Sequence, residues 1–249
     1  MLTRAKAQAA ERPRKFYAAA APGAVEGSYS VLLDSRPAKT PGGKPLTLPA
    51  HGLAELLAAE WDAQTEVIAF GDMPATRLAF TVIDHIPAAR AGVAEEVATY
   101  AGSDMLCYLA EAPRELAERQ QAAWGPIRDW AGAELDLRFQ PVTGVIHKAQ
   151  PSDTLAGVHL IAIGLDDFAL GALAHATSLF GSAILALALQ RGRLTGQEAF
   201  DLSRLDEVFQ EEQWGVDDEA AVRTARMRAE AATLEAWFAS LLPPDASRG

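Results

Sequence analysis

The groups in this chain that could do chemistry are five histidines, one cysteine and an uneven spread of carboxylates. The histidines are His51, His85, His147, His159 and His175. No two stand four residues apart, so none forms the paired-histidine zinc motif of a helix. A structural, metal-free role is the expectation for each, and no metal site is expected. A single cysteine, Cys107, rules out an intramolecular disulfide and any cysteine-based zinc cluster. It stands between Leu106 and Tyr108, which reads as buried packing. The nucleophile elbow G-x-S-x-G is missing. Gly42-Gly43-Lys44 lacks the rest of a phosphate loop, and Pro45 takes the place of its hydroxyl residue. The adjacent carboxylates Asp206/Glu207 and Glu211/Glu212 could do acid–base work only in a pocket that splits their pKa values. No catalytic residue, cofactor or nucleotide is therefore expected. The alternative kept open is a small hydrolase or lyase using Asp/Glu and His residues.

The densest run of carboxylates is residues 203–219, S-R-L-D-E-V-F-Q-E-E-Q-W-G-V-D-D-E, where Arg204 is the one basic residue. On a helix at 100° per residue, Leu202, Leu205, Val208 and Phe209 fall on one side. Arg204, Glu207, Glu211 and Trp214 fall on the other. Geometry alone leaves two readings open. One is a solvated face whose tryptophan packs on a neighbouring domain; the other is a face that offers an aromatic anchor and charge to a partner.

A length of 249 residues favours two domains over one. A net charge of −11 argues against nucleic acid as a partner, because phosphate contacts need clustered Lys and Arg. Residues 1–15 carry basic residues but no apolar core of signal-peptide type, so a frayed basic tail over 1–13 is expected. A second frayed tail is expected over 243–249. Residues 168–190 contain no Asp, Glu, Lys or Arg. The run is rich in alanine and hydroxyl residues and has no companion span, so it reads as one buried core helix and not as membrane-inserted.

The elements that must position these groups follow from periodicity. Strands are expected at 15–20 and 29–33, with tight turns in the Pro- and Gly-rich residues 34–45. Helices are expected at 53–64, at 73–86 with Pro74 in the first turn, and at 88–100, with Pro87 between the last two. Further helices are read at 113–131, 154–163 and 219–241, with an extended stretch at 135–147. Thr195 and Glu198 have the spacing of a capping box ahead of the acidic helix. The fold class is α+β: a small N-terminal α+β domain with short antiparallel strands, residues 1–86, then a larger C-terminal all-helical orthogonal bundle, residues 87–249.

An ordered series of short motifs resembles the assembly chaperones of the F1-ATPase alpha subunit. It comprises Arg14-Lys15-Phe16-Tyr17, then Leu33-Asp34-Ser35-Arg36-Pro37 with Lys39-Thr40-Pro41, and Glu60-Trp61-Asp62-Ala63-Gln64. Met73-Pro74, Thr76-Arg77-Leu78-Ala79, Ile83-Asp84 and Asp104-Met105-Leu106-Cys107-Tyr108 continue it. Ser203-Arg204-Leu205-Asp206-Glu207, Phe209-Gln210 and Trp214-Gly215 end it. The resemblance implies an ATP-independent chaperone that binds the unassembled alpha subunit of F1-ATP synthase until the catalytic head assembles. It implies a protein of the bacterial cytoplasm, or of the mitochondrial matrix if the tail is a presequence remnant, with a monomeric state. It also implies a critical glutamate in the helix before Trp-Gly, for which Glu207 is the matching position. The partner-binding residues expected are Glu207, Glu211, Trp214 and Arg204.

Overall fold

The computed structural model describes residues 13–144, 146–215 and 218–242. The expected tails at 1–13 and 243–249 lie outside the described residues, apart from residue 13. Three short strands open the fold: β1 (Ala20–Val25), β2 (Ser28–Leu33) and β3 (Arg36–Pro37). They form one antiparallel sheet in that order, with Ala20 opposite Leu33 and Val25 opposite Ser28. The strand read at 15–20 is corrected to Ala20–Val25. Pro22 and Gly23 hid it, but β1 is an edge strand paired only with β2, where a proline costs no ladder bond. Residues 13–15 instead run beside 66–68, through Ile68 N–H to Pro13 O (2.8 Å) and Lys15 N–H to Glu66 O (3.0 Å).

Helix α1 (His51–Asp62) packs against this sheet, and α2 (Pro74–Ala101) follows. The separate helices read on either side of Pro87 are corrected to this one helix of 28 residues. Pro87 is exposed, and the carbonyl it leaves without a helix donor, that of Ile83, accepts from Lys44 Nζ at 2.9 Å, while Val82, Ile86, Ala94 and Val97 hold both halves to the core. The start of α2 is supplied from outside. Met73 offers no capping side chain, and Glu60 of α1 accepts from Ala75 N–H and Thr76 N–H, both at 2.8 Å. Asp84, further along α2, accepts from Thr40 Oγ1 (2.7 Å) and Gly42 N–H (3.0 Å), which ties the turn region to the helix.

The remainder is largely helical: α3 (Arg114–Leu135), α4 (Ser152–Gly164), α5 (Asp167–Phe180), α6 (Ala183–Gln190), α7 (Gly196–Ser203), α8 (Leu205–Trp214) and α9 (Asp218–Leu241). A parallel pair, β4 (Tyr108–Leu109) with β5 (Val142–Thr143), interrupts it and accounts for the extended stretch. The single helix read at 168–190 is corrected to α5 and α6. Gly181 takes a left-handed φ of 64° and ends α5; Ser182 then caps α6 by accepting from Leu185 N–H. Residues 183–189 are all buried, so α6 sits at the centre of the helical part, as an all-apolar helix must. Among the described residues no helix is long and apolar enough to cross a membrane. The Thr195–Glu198 capping box is present as read.

Two close fits fix the helical layers. A side chain on Gly171 of α5 would run into Val82 of α2, and one on Gly196 of α7 would run into the carbonyl of Ala231 in α9. Asp104, buried before a turn of 3-10 helix (Met105–Cys107), joins that turn to α6. It accepts from Leu106 N–H (3.1 Å), Ser182 Oγ (2.8 Å) and Ile184 N–H (3.0 Å). Burial pushes its pKa up to about 6 against the pull of these bonds.

Gly196→Ala forces backbone apart where no flexible side chain can give, and a loss of about 1–3 kcal/mol is expected in urea unfolding. For Asp104 the folded pKa lies above the unfolded one, so its contribution is full below about pH 4 and declines as pH rises through 6. At 1.36 kcal/mol per pKa unit that decline is about 3 kcal/mol. Between pH 4 and pH 7.5, wild-type stability should therefore fall relative to Asp104→Asn, measured by urea unfolding; parallel pH profiles would refute the assignment.

Candidate partner-binding site

The acidic run does not form the one helix expected from 202 to 214. Helix α7 ends at Ser203, Arg204 leaves helical geometry (φ −105°, ψ 9°), and α8 restarts at Leu205. The break serves the Arg204 side chain. It is buried, and its guanidinium donates to Glu211 at 2.8 Å and lies 3.9 Å from Glu207. Arg204, Glu207 and Glu211 are thus brought together, with the arginine as the inner brace and the glutamates outward. The side chain of Glu207 is half exposed and that of Glu211 less so.

Trp214, at the last turn of α8, is 82% exposed. Gly215 follows with φ 87°, a value that favours glycine, and ends the helix. Phe209 is buried, and Leu202 and Leu205 pack at the edge of the core, as expected. Val208 does not join them: it is 43% exposed, a correction to its place on the core side. The restart at Arg204 narrows the buried stripe of α8 to Phe209. Asp217 lies outside the described residues, so the acidic run beyond Trp214 is not part of the site drawn here.

Helix α3 holds α8 in place through polar contacts. Arg119 donates to both oxygens of Glu212 (3.0 and 2.7 Å), also pairs with Glu115, and lies over the ring of Phe209. The bonds to Glu212 and Glu115 raise its pKa further. Gln120 donates to Asp206 at 2.7 Å, and Trp124 Nε1 donates to the carbonyl of Leu202 at 3.0 Å. Asp206 and Glu212 are therefore occupied within the fold, which leaves Glu207 and Trp214 facing outward. Beside them, between α7, α8 and α9, runs a cavity of about 540 Å³ with an alanine floor at Ala221, Ala225, Ala229 and Ala232 and with Glu211 and Arg228 on its walls. The sequence reading missed this groove. Its signal was the recurrence of alanine every three or four residues in α9.

The groups first weighed for chemistry are dispersed. Cys107 is buried, and its thiol is pushed up to about 12 by burial and the nearby Asp104 carboxylate, which keeps it from acting as a nucleophile. His51 pairs with Glu55 (3.5 Å), His159 with Glu95 (3.3 Å) and His175 with Glu230 (3.4 Å), while His147 Nδ1 meets the Tyr108 hydroxyl at 3.0 Å. His85 is exposed. Glu230 also takes Arg77 at 2.8 Å, and these bonds hold its pKa below the usual carboxylate range. Among the described residues no three His, Cys, Asp or Glu side chains cluster as metal ligands.

The family model of the ATP12 chaperone protein matches residues 14–132. The crystal structure of Atp12 from Paracoccus denitrificans superposes with a TM-score of 0.85 at 39% identity, over 92% of this chain and 99% of that one. The chain belongs to the ATP12 chaperone family. The Atu1473 protein of Agrobacterium tumefaciens is likewise similar, at 42% identity and a TM-score of 0.87, over 92% of this chain and 87% of that one. The mitochondrial protein atp12 of Schizosaccharomyces pombe is 26% identical over 220 residues, which span 83% of this chain and 75% of that protein. The match of the ATP12 family model takes in the sheet, α1, α2 and most of α3, and the structural likeness extends the family fold over the helical part that carries α8.

The geometry separates brace from anchor. Arg204→Ala leaves Glu211 without its buried partner and should cost about 2–4 kcal/mol in thermal or urea unfolding. Trp214→Ala removes a ring that packs on little and should stay within about 0.5 kcal/mol of wild type. Equal losses in the two variants would show that the tryptophan is structural.

Proposed function

We propose that this member of the ATP12 chaperone family holds the unassembled alpha subunit of F1-ATP synthase and prevents its aggregation until the catalytic head assembles. The observation that carries the reading is Trp214, 82% exposed at the end of an acidic helix that is braced from within. A large aromatic ring left in water costs free energy unless a partner covers it, and such rings are the usual anchors of interfaces. Glu207 and Glu211 supply charge to orient the partner, and Arg204 fixes Glu211 for that purpose. Released subunits expose the surface meant for their neighbours, so a stoichiometric holder needs complementary area and neither nucleotide nor catalytic group. On this reading the protein is not an enzyme and acts as a monomer. It works in the bacterial cytoplasm; the mitochondrial matrix is the corresponding place for a member with a presequence.

Co-expression with the alpha subunit, followed by pull-down, tests this. The subunit should become soluble and co-purify. Glu207→Lys should reduce capture at least tenfold with an unchanged circular dichroism spectrum, and Trp214→Ala should weaken it similarly. Failure of the wild-type protein to retain any subunit would remove the proposal. Unfolding of Glu207→Lys would reassign that residue to the fold.

A further inference from the structure

A second cavity, of about 580 Å³, lies on the N-terminal part, between the 14–17 segment, the β2–β3 hairpin and α1. Its walls are aromatic and aliphatic: Phe16, Tyr17, Leu33 and Trp61. Tyr17 and Trp61 are buried, whereas Phe16 is 71% exposed beside them, its ring edge-on to Tyr17 at 5.4 Å. Trp61 is 4% exposed, and its indole Nε1–H finds no acceptor among the described residues. An unpaired buried donor costs about 1–3 kcal/mol, and nearly all such groups are satisfied. The rim is cationic. Arg36 and Lys39 are both exposed, and neither takes part in an ion pair among the described residues. The one carboxylate in the wall, Asp34, is already engaged, accepting from Ala18 N–H (2.9 Å) and Ala19 N–H (3.0 Å). The chain as a whole carries a charge of −11, so two unpaired cations over an apolar cavity set this spot apart from its surroundings.

We propose that this cavity is a second docking site for the client polypeptide, and that it takes an extended segment in which a large apolar side chain neighbours a carboxylate. This deepens the holding role above and rests on it for the identity of the client. The apolar side chain enters among Tyr17, Trp61 and Leu33, and Phe16 closes over it. The carboxylate meets Arg36 and Lys39. Charge complementarity selects the occupant: a basic segment would be repelled by the rim, and an uncharged one would leave both cations unpaired. The cavity is far in sequence from α8 and shares no residue with the alanine-floored groove, so two separate contacts would hold one client, each reinforcing the other through its effective concentration.

The probe is a fluorescein-labelled octapeptide of alternating glutamate and phenylalanine, followed by fluorescence anisotropy against the full chain. Controls replace glutamate with lysine, or phenylalanine with serine. Saturable binding of the glutamate–phenylalanine peptide is expected, with at least tenfold weaker binding of both controls. The double variant Arg36→Glu/Lys39→Glu and the single variant Phe16→Ser should each weaken it at least tenfold. All three side chains are exposed, so the melting temperature should hold. Trp214→Ala should bind the peptide like wild type. The proposal is overturned by absence of saturable binding, by equal binding of the lysine peptide, by undiminished binding to the double variant, or by loss of binding in Trp214→Ala. Subunit capture that depends on Glu207 without peptide binding would end this proposal alone. Peptide binding without subunit capture would end the holding role while leaving the cavity a binding site.

Discussion

The carboxylate of Glu60 on the first amides of α2 is the contact from which the rest of the arrangement follows. A helix of 28 residues presents unsatisfied N–H groups at its start, and here its own N-terminal residues supply no acceptor. Glu60 supplies it from α1 at the cost of burying a charge; burial raises its pKa while the amide bonds and Arg77 draw it down. The angle between α1 and α2 is thereby set. From α2 the order passes outward in both directions. Asp84 collects the turn at Thr40 and Gly42, and so positions the sheet. Val82 lies against Gly171, and so positions α5. Helix α5 receives Trp237 of α9 on the carbonyl of Phe168 at 3.1 Å. Helix α9 in turn leaves room for α7 only because residue 196 has no side chain.

Two kinds of carboxylate divide the work in this acidic chain. Asp34, Glu60, Asp84 and Asp104 accept from backbone amides, with separations between 2.8 and 3.1 Å. Such bonds fix the course of the main chain and have no simple substitute. The carboxylates of α8 bond to side chains instead: Glu212 to Arg119, Glu211 to Arg204, Asp206 to Gln120. Exposed side-chain pairs are worth little individually and can exchange partners. The first set builds a scaffold and the second dresses a surface; within the second set Asp206 and Glu211 have buried partners, Gln120 and Arg204, and Glu211 adjoins Trp214 by one turn.

Much of this was legible in the sequence, and what was not has physical causes. The α+β order, the capping box at Thr195, the last helix and the core placement of Phe209 follow from periodicity and cap chemistry. The motifs that resemble the alpha-subunit chaperones turned out to hold the scaffold together: Asp34, Glu60, Asp84 and Asp104 each belong to one of them. Their bonding was hidden, because an acceptor reaching an amide 15, 42 or 80 residues away leaves no local spacing. Helix continuity was misjudged at both kinds of breaker. Pro87 was over-read, since a solvent-facing proline is tolerated in a helix packed on both halves. Gly181-Ser182 breaks an uncharged apolar run with a two-residue cap, which leaves no charged interruption in the hydrophobic pattern. At the candidate site the sequence placed Glu207, Glu211 and Trp214 on a common face but could not show that Arg204 turns inward, because burial of this arginine depends on a carboxylate two helix turns beyond the break.

The contrast between the two aromatic sites bears on how a holder can also let go. Trp214 ends an acidic helix, and Phe16 lines a cavity together with Arg36 and Lys39. Isolated rings of this kind do not make the large apolar patch that would drive copies of an acidic chain together, and the net charge of −11 opposes self-association further. A client that covers one ring gains a few kcal/mol at most, since anchor residues rather than area set affinity. Two such contacts, each weak and of opposite charge preference, would bind together with useful strength yet separate one at a time. On the proposed holding role, an assembling neighbour that displaced the client from α8 would have to overcome only half of the grip at any moment, and release would require no energy source beyond the better fit of the final partner.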